Sequence, residues 1–267
     1  MKIPKSHPRY ESLKRRDKLV AGIEAGITSL HGLIAHGRGE AFDYLMGERT
    51  LESALRATEV AAALLLMAKR PVLSVNGNVA ALASKEMVIL SGLINAPLEV
   101  NLFHRTEERV KRIKELLERE GAKHVLGDKP DSRIPGIEHA RALATREGIY
   151  SADVVLAPLE DGDRCEALIA MGKKVITIDL NPLSRTSRYA TVSIVDDIER
   201  ALRNLISVIE TKREEQQQRQ QQHGHGYSSN SFNLDALLRA YDYDNKANLK
   251  AAIKEIATRL IGKIGNE

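Results

Sequence analysis

The chain has 267 residues, of which 43% are hydrophobic, and it carries a formal net charge of +4 at pH 7. A chain of this length can bury a substantial core, which excludes a small scaffold that depends on disulfides or metals for stability. The single cysteine, Cys165, excludes an intramolecular disulfide and a zinc site with four cysteine ligands from one chain. These features are typical of a protein from a reducing compartment.

No segment of the sequence is predicted to cross a membrane. The longest apolar run, which includes Ala61 to Ala68, is less than half of the roughly 20 residues that a membrane-spanning helix needs. The first residues are polar and do not resemble a signal peptide. We therefore expect a soluble cytoplasmic protein with no membrane partner.

Positive charge is concentrated at the start of the chain. Residues 1–20 contain seven lysines or arginines and two acidic residues, so the rest of the chain is nearly neutral. A net charge of this size does not by itself indicate a nucleic-acid partner. On composition alone the basic segment favours a solvated first helix, with a site for phosphorylated ligands as the alternative.

The segment from Ser6 to about Arg70 is predicted to be helical, because its apolar residues recur three and four positions apart. The stretch Gly37-Arg38-Gly39 interrupts this pattern. We predict a loop there, either a turn between two helices or a backbone that brings the guanidinium of Arg38 close to a ligand.

From Pro71 onward, short β-branched segments alternate with helical ones. The predicted strands are Val72–Val75, Leu98–Phe103, His124–Leu126, Asp153–Ala157, Val175–Asp179 and Thr191–Val195. The predicted helices between and after them are Ala80–Ile94, Glu107–Arg119, Glu166–Met171 and Ile198–Arg213. This alternation predicts an α/β protein with a Rossmann-like, three-layer αβα architecture and a mostly parallel sheet.

The segment 214–231 contains a glutamine-rich tract followed by His223 and His225, and it has almost nothing to bury. We predict a flexible linker or an extension of the preceding helix, with little regular structure. The two histidines lack the further ligands that a metal site needs. The predicted units are therefore a helical region at 1–70, a Rossmann-like core at 71–213, this linker, and C-terminal helices at 232–267, which together form one globular unit.

Open parallel sheets bind ligands at the carboxyl ends of their strands, so the residues that follow each strand are the candidate site. The first such junction is Asn76-Gly77-Asn78, which opens a helix whose free N–H groups can bind an anion. A tight turn with an ordinary helix cap explains the same residues. The second junction brings His104 and Arg105 to the edge of the sheet, and Thr106 can cap the helix that follows.

Two further junctions carry charged groups. The segment Glu160–Asp163 holds three carboxylates, which suit either a hydrated magnesium ion or the N-terminus of a helix. Asp179 follows the strongest predicted strand and can accept hydrogen bonds from a ribose or adenine, while Ser184 to Thr186 offer donors to phosphates. No Walker sequence and no complete Gly-x-Gly-x-x-Gly follows a strand, which argues against a P-loop enzyme and against standard NAD binding.

Five segments resemble the archaeal phosphopantothenate synthetases. They are Ile3–Tyr10, Gly32–Leu45, Ser74–Leu82, Pro158–Arg164 and Asp179–Arg185. The resemblance implies a homodimer that uses ATP, 4-phosphopantoate and β-alanine to make 4′-phosphopantothenate, AMP and diphosphate. It is weak from residue 216 onward, where the family lacks a comparable glutamine- and histidine-rich tract.

The resemblance also implies an ATP site, with Arg38 as the catalytic charge that acts together with Mg²⁺. Its residues are Arg16, Arg38, Asp179, Leu180, Asn181, Arg185, Thr186, Asp197 and Ile198. Asp197 departs from the asparagine usual in the family, and a carboxylate cannot donate the hydrogen bond that an amide can. Junction geometry assigns 4-phosphopantoate to Asn76, Gly77, Asn78, His104 and Arg105.

The sequence leaves the general base open, since His7 and His36 suit a structural or binding role equally well. Two other classes of function are alternatives to a ligase. A non-catalytic nucleotide- or RNA-binding protein is disfavoured because the chain has few aromatic residues and no stacking motif, and no nucleic-acid partner is expected. A dinucleotide-dependent oxidoreductase is disfavoured by the missing glycine fingerprint.

Overall fold

The computed structural model describes residues 3–223 and 234–264. Within them the helices are α1 Tyr10–Glu24, α2 Leu30–Met46, α3 Glu52–Met67, α4 Gly77–Ile94, α5 Glu107–Arg119, α6 Gly162–Ala170, α7 Arg185–Tyr189, α8 Ile198–His223, α9 Leu234–Ala240 and α10 Asn245–Ile264. The strands are β1 Pro71–Val75, β2 Leu98–Val100, β3 Val125–Leu126, β4 Ser132–Arg133, β5 Leu143–Ala144, β6 Val154–Leu156, β7 Lys174–Ile178 and β8 Val192–Ile194.

Six strands form one parallel sheet in the order β3-β2-β1-β6-β7-β8. Counted within this sheet alone, the order is 3-2-1-4-5-6, which is the order of doubly wound nucleotide-binding folds. The direction of winding reverses between β1 and β6, where Leu73 pairs with Leu156. The predicted three-layer α/β fold is confirmed, and all six predicted strands are present, although most are one to three residues shorter than predicted.

Both faces of the sheet are covered by helices, as a parallel sheet requires. Leu73 and Val75 of β1 pack into the larger hydrophobic cluster with residues of α3, α4 and α8. Val72, which precedes Leu73 and faces the opposite side of the sheet, joins a second cluster that includes Cys165 and Leu168 of α6. Alternate residues of one fully buried strand therefore support the two helical layers.

The prediction of a loop at Gly37–Gly39 is wrong, because these residues lie inside the continuous helix α2. The helix begins after Ser29, whose hydroxyl accepts a hydrogen bond from the N–H of Gly32 at 3.3 Å. It ends at Gly47, which has a left-handed φ of 95°. Glycine inside a helix costs about 1 kcal/mol relative to alanine, and the buried face of α2 offsets that cost.

The end of the chain also differs from the linker prediction. Helix α8 continues to His223, so residues 214–223 extend the helix, which is the alternative that the sequence left open. Residues 224–231 of the predicted linker, including His225, lie outside the described residues. The predicted C-terminal helices correspond to α9 and α10, and α10 packs on α2, α3 and β8.

Sequence patterns missed several short elements. An antiparallel ribbon of β4 and β5, a π-helical turn at Arg146–Tyr150 and helix α7 lie in segments without a clear hydrophobic period. Glu99 of β2 anchors the π-helical turn, since its buried carboxylate accepts hydrogen bonds from the N–H groups of Thr145 at 2.8 Å and Ile149 at 2.7 Å. Burial raises the pKa of Glu99.

Among the described residues, one helix has the length and composition of a membrane span. It is α4, and 44% of that segment is buried inside the fold. Core helices of soluble proteins have the same composition, so this helix is weak support for a membrane span.

Candidate active site

The candidate site lies where the winding of the sheet reverses, between the carboxyl ends of β1 and β6. Asn76 joins these two ends. Its side-chain oxygen accepts hydrogen bonds from the N–H groups of Asn78 and Val79, at 3.0 and 3.1 Å, and caps α4. Its amide nitrogen donates to the carbonyl oxygens of Pro158 at 3.1 Å and Leu159 at 3.0 Å. Asn76 is therefore a structural tie as well as a candidate ligand contact.

The loop that Asn76 holds is unusual at Leu159, whose φ of 50° lies in the left-handed region. That conformation is uncommon for a residue other than glycine and persists only where neighbours enforce it. The hydrogen bond from Asn76 and the backbone bond from the N–H of Leu159 to the carbonyl of Ile178, at 3.0 Å, supply this restraint. The loop after β6 is thus fixed from two sides.

A cleft of about 430 Å³, called the first cleft, lies between α2 and the loops after β6 and β7. It brings together six of the nine residues predicted to bind ATP, which are Arg38, Asp179, Leu180, Asn181, Arg185 and Thr186. Arg38 projects from α2, while the other five follow β7. Arg38 from α2 and Arg185 from the edge of the sheet therefore line the same cleft.

Asp179 organises the loop on the sheet side of the first cleft. Its carboxylate accepts hydrogen bonds from the hydroxyl of Ser184 at 2.5 Å and from the N–H of Asn181 at 2.9 Å. The hydroxyl of Ser184 in turn accepts a hydrogen bond from the N–H of Ser187 at 3.0 Å and caps α7. Burial raises the pKa of Asp179, although both hydrogen bonds lower it.

Three of the predicted ATP-binding residues do not line this cleft. Arg16 is 46% exposed and pairs with Glu40, with 3.1 Å between its Nε and the carboxylate. Asp197 is buried, pairs with Arg15 at 3.0 Å, and caps α8 by accepting from the N–H of Glu199 at 3.1 Å. Ile198 is part of the hydrophobic core.

A second cleft, of about 270 Å³, adjoins the first. It brings together four of the five predicted 4-phosphopantoate residues, which are Asn76, Gly77, Asn78 and His104. Gly77 is required by close packing, because a Cβ atom there would lie 2.8 Å from the carbonyl oxygen of Ile27. Asn78 donates a hydrogen bond to the carbonyl of Gly32 at 2.8 Å, which holds the start of α2 against α4.

Arg105 lies outside both clefts, and Arg109 takes the place predicted for it. The guanidinium of Arg105 donates to the carbonyl of Gly127 at 2.6 Å. Arg109, one turn into α5, lines the second cleft and donates to the carbonyls of His104 at 2.5 Å and Ile27 at 3.2 Å. Burial lowers the pKa of Arg109, and no carboxylate within the described residues pairs with it. Its charge therefore faces the second cleft without compensation.

Beneath the clefts lies a group of buried charges that the sequence did not reveal. We call Arg141, Glu160 and Arg164 the basic cluster. Both guanidinium groups contact the carboxylate of Glu160, and Arg141 also pairs with Asp161 at 2.9 Å. Arg141 and Arg164 are 2% and 0% exposed. The spacing of four residues between Glu160 and Arg164 could have indicated their ion pair. No pattern in the sequence indicated that Arg141 joins them.

Apart from His104, the aromatic and imidazole rings beside the second cleft were not predicted from the sequence. The rings of His31 and His104 lie 4.6 Å apart, and those of Phe103 and His139 lie 4.8 Å apart. His139 is held by Asp163, with 2.8 Å between ring nitrogen and carboxylate. These residues come from three separate segments, so only the tertiary structure brings them together.

The two clefts share a wall formed by Ala35, Asn78, Leu159 and Asp161. Two ligands in these clefts therefore meet across one small surface. The larger cleft offers arginines and loop backbone, and the smaller offers an uncompensated guanidinium beside the N-terminus of α4. This arrangement can hold two anionic substrates with their reacting groups in contact.

Comparison with known proteins supports this interpretation. The sequence profile of the phosphopantothenate/pantothenate synthetase family matches residues 53–259. The chain is 53% identical over 258 residues to a 4-phosphopantoate–β-alanine ligase of Methanosarcina mazei, which covers 97% of this chain and 95% of that one. It is 52% identical over 243 residues to the protein of the same name from Thermococcus onnurineus, with 91% and 93% covered.

A further relative with this name, from Methanospirillum hungatei, is 60% identical over 203 residues, with 76% of this chain and 83% of the relative covered. The family match continues past the glutamine-rich tract to residue 259, so the resemblance extends further along the chain than the sequence motifs indicated. The chain belongs to the phosphopantothenate/pantothenate synthetase family.

Proposed function

We propose that this chain condenses 4-phosphopantoate with β-alanine, using ATP, to give 4′-phosphopantothenate, AMP and diphosphate in coenzyme A biosynthesis. Family membership makes the chain a ligase, and relatives that carry this substrate name align with nearly its whole length. The observation that carries the proposal is the pair of clefts with a shared wall at the switch point of the sheet.

ATP is assigned to the first cleft. The backbone of Leu180 and Asn181 follows β7, where nucleotides bind in doubly wound folds. Arg38 and Arg185 reach the cleft from opposite sides, which suits a polyphosphate. The hydroxyl of Thr186 already donates to the carbonyl of Glu160 at 2.7 Å, so we assign Thr186 to shaping the loop.

The resemblance adds three residues to this assignment that lie outside the first cleft. Arg16 contributes if its side chain leaves Glu40 and turns toward the phosphates. Asp197 and Ile198 contribute only through backbone groups at the start of α8, since both side chains are buried. These contacts remain predictions.

4-Phosphopantoate is assigned to the second cleft. Its phosphate suits Arg109 and the positive end of the α4 dipole, where a half-buried cation and a helix N-terminus favour the same anion, although the N–H groups of Asn78 and Val79 already donate to Asn76. Asn78 and His104 offer polar groups for the rest of the molecule. This orientation places the carboxylate of the substrate at the shared wall, next to the first cleft.

The proposed chemistry proceeds through an acyl-adenylate. A substrate carboxylate oxygen attacks the α-phosphorus of ATP, the bond to the β-phosphate breaks, and diphosphate leaves. The amine of β-alanine then forms a bond to the acyl carbon, and AMP leaves. The protein's main contribution is to hold two anions together and to stabilise developing charge, which is the role we assign to Arg38.

Mg²⁺ fits this site only as an ion bound mainly by phosphates. Within residues 3–223 and 234–264, no group of three or more histidine, cysteine or acidic side chains could hold a metal. Asp161 is half-buried and lines both clefts, so it is the carboxylate best placed to contact such an ion. Mg²⁺ commonly binds through one or two carboxylates and substrate phosphates, and it supplies charge neutralisation at the phosphates.

The products test the proposal. Incubation with ATP, Mg²⁺, 4-phosphopantoate and β-alanine is expected to yield AMP, diphosphate and 4′-phosphopantothenate in equal amounts. Chromatography and mass spectrometry measure the three products. Omission of either substrate should abolish the amide. Equal amounts of ADP and amide would contradict the adenylate, and no amide with any nucleotide would contradict the function.

We also propose that the enzyme is a homodimer in the cytoplasm, without nucleic acid or membrane as a partner. Leu30 and Ile34 are each 66% exposed and lie one turn apart on the outer face of α2, in line with the exposed residues Gly37 and Ala41. An apolar face of this kind is typical of a contact between subunits. A second copy is the occupant we assign to it.

Light scattering distinguishes a monomer from a dimer, because one chain has a mass of 29.5 kDa. The unmodified protein is expected at twice this mass, and the double variant Leu30→Ser/Ile34→Ser at the single mass. The matched control is Ile89→Ser, because Ile89 lies on α4 and is itself 50% exposed. This variant should stay dimeric. A dimer that survives the double variant would place the interface elsewhere.

A further inference from the structure

His36 is a buried side chain with no polar partner. It lies on α2, next to Ala35 of the shared wall, and its ring lines the first cleft. The residue is only 7% exposed. Within residues 3–223 and 234–264, its imidazole makes no hydrogen bond. The ring nitrogens are not among the buried unpaired atoms of the described residues, so they are accessible from the cleft, where a group of the ligand can bind them.

The surroundings of His36 favour a neutral ring that can accept a proton. Burial lowers the pKa of His36 below its ordinary value, so the ring is uncharged at pH 7. The negative charges of Asp197, Glu40 and Asp43 act in the opposite direction, and Arg15 adds to the effect of burial. The three carboxylates therefore offset part of the cost that burial imposes on a protonated ring.

These charges come from every helix around the ring. Arg15 lies on α1, Glu40 and Asp43 lie on α2, and Asp197 caps α8. Across the first cleft, the charged side chains are Arg38, Glu160, Asp161, Asp179 and Arg185. The carboxylates of Asp43, Asp197 and Glu40 form ion pairs with Arg15 and Arg16.

We propose that His36 is the catalytic residue that accepts the proton from the amine of β-alanine as the amide bond forms. The proposal rests on the acyl-adenylate of the proposed function. β-Alanine arrives as an ammonium ion, and one N–H proton moves to the free nitrogen of His36. The nitrogen lone pair forms the C–N bond, the bond between the acyl carbon and the α-phosphate oxygen breaks, and AMP leaves with that electron pair. The second excess proton on nitrogen passes to water.

Other candidate bases are less suited. His7 lies outside both clefts, and its Nδ1 accepts a hydrogen bond from the N–H of Arg9 at 3.0 Å. His139 is paired with Asp163 and lines neither cleft. Asp161 lines both clefts, but its carboxylate is already paired with Arg141 at 2.9 Å. His31 and His104 line only the second cleft, and neither is buried.

Separate measurement of the two half-reactions tests the proposal. The first is exchange of diphosphate into ATP in the presence of 4-phosphopantoate, which needs no amine and no base. The second is amide formation at saturating β-alanine. His36→Asn is expected to keep the exchange rate within about twofold, while kcat for the amide falls by about 10²- to 10⁴-fold. His124→Asn, an exposed histidine remote from both clefts, should change neither rate.

The pH dependence gives a second readout. In the unmodified enzyme, kcat for the amide should fall at acid pH as one group is protonated, with a midpoint below the ordinary pKa of histidine. This acidic limb should be absent from His36→Asn. Asp197→Asn removes a charge that raises the pKa of His36, so it should move the limb to lower pH.

Hydroxylamine provides a nucleophile that is largely unprotonated at neutral pH and needs no base. His36→Asn should form the hydroxamate at close to the unmodified rate, which also shows that the variant is folded. Equal loss of exchange, hydroxamate and amide would show that His36 serves binding or folding and would overturn the proposal. Unchanged amide formation would overturn it as well. Absence of exchange in the unmodified enzyme would instead refute the adenylate, and with it this role for His36.

Discussion

Two ionic clusters lie near the first cleft, and among their buried groups they differ in the sign of the excess charge. The basic cluster has two guanidinium groups, of Arg141 and Arg164, around the single buried carboxylate of Glu160. The second, which we call the acidic cluster, consists of Arg15, Asp43, Asp196, Asp197, Glu199 and Arg200. It therefore holds four carboxylates and two guanidinium groups between α1, α2 and α8.

The pKa values of the arginines reflect this difference. Burial, followed by the charge of Arg164, lowers the pKa of Arg141 to about 9, and burial lowers that of Arg164 to about 10. In the acidic cluster, burial also acts on Arg200, but hydrogen bonds and charges from Asp43 and Asp196 raise its pKa above the ordinary value. All three remain charged at pH 7.

The comparison teaches that the effect of a substitution depends on which charge is scarce. In the basic cluster Arg141 also pairs with the half-exposed Asp161, but Glu160 is the only ion-pair partner of the buried Arg164 within the described residues, so its loss leaves that charge unpaired. The acidic cluster has carboxylates to spare, so the loss of one leaves each guanidinium paired. The same asymmetry suits function, because excess positive charge lies beneath the proposed phosphate sites and excess negative charge lies beside His36.

The largest effect is expected from Glu160→Gln. Loss of the shared carboxylate should lower the free energy of unfolding by about 3–5 kcal/mol, as for other broken buried ion pairs. Denaturant titration followed by circular dichroism measures it. Glu115→Gln removes a carboxylate from an exposed pair with Lys111 and should change stability by less than about 0.5 kcal/mol. Similar values for the two variants would contradict the importance of the shared carboxylate.

Arg38→Ala should affect turnover strongly and stability weakly. Its side chain is exposed at the first cleft, and loss of one charge contact to the transition state typically costs about 2.7–4 kcal/mol, or about 10²- to 10³-fold in kcat. The helical position of Arg38 favours alanine, so the variant should remain folded. Steady-state kinetics beside thermal unfolding separates the two effects.

Arg105→Ala is the matched control for Arg38→Ala. Its guanidinium binds the backbone at Gly127 outside both clefts, so kcat should stay within about twofold. Loss of activity comparable to that of Arg38→Ala would mean that Arg105 reaches the substrate after all.

Asp197→Asn should have a small effect on stability, of about 1 kcal/mol or less. The amide oxygen of asparagine can still cap α8, and Arg15 keeps Asp43 and Glu199 as partners. The free energy of unfolding, compared with that of Glu160→Gln, tests the asymmetry between the clusters. A loss as large as that of Glu160→Gln would refute the idea that carboxylates are in excess here.

The smallest effect is expected from residues 224–231. Their glycine, serine, tyrosine and histidine composition offers little apolar surface to bury, so a Gly/Ser replacement of equal length should leave activity and dimer mass unchanged. Specific activity and light scattering of this variant beside the parent measure both. Loss of activity at unchanged mass would show that this tract reaches the active site.

Local patterns in the sequence were sufficient for the elements that carry the sheet. Runs of β-branched residues placed all six parallel strands, and α5 has the bounds that its hydrophobic period predicted. The predicted cap of α5 is confirmed, since the hydroxyl of Thr106 accepts a hydrogen bond from the N–H of Arg109 at 3.2 Å. The position of the site after the strands followed from the rule for open parallel sheets. Short-range sterics and burial determine all of these features.

The sequence by itself therefore determined the fold class through its local periodicity, and the family through the motif segments that resemble it. It also indicated the edge of the sheet where the candidate clefts lie. Only the tertiary structure decided which side chains share a cleft. It placed Gly37–Gly39 inside α2, because the burial of one helix face outweighs the low helix propensity of the two glycines. It replaced Arg105 by Arg109 in the second cleft and joined Arg141 to Glu160, because pairings between distant segments depend on how whole layers pack.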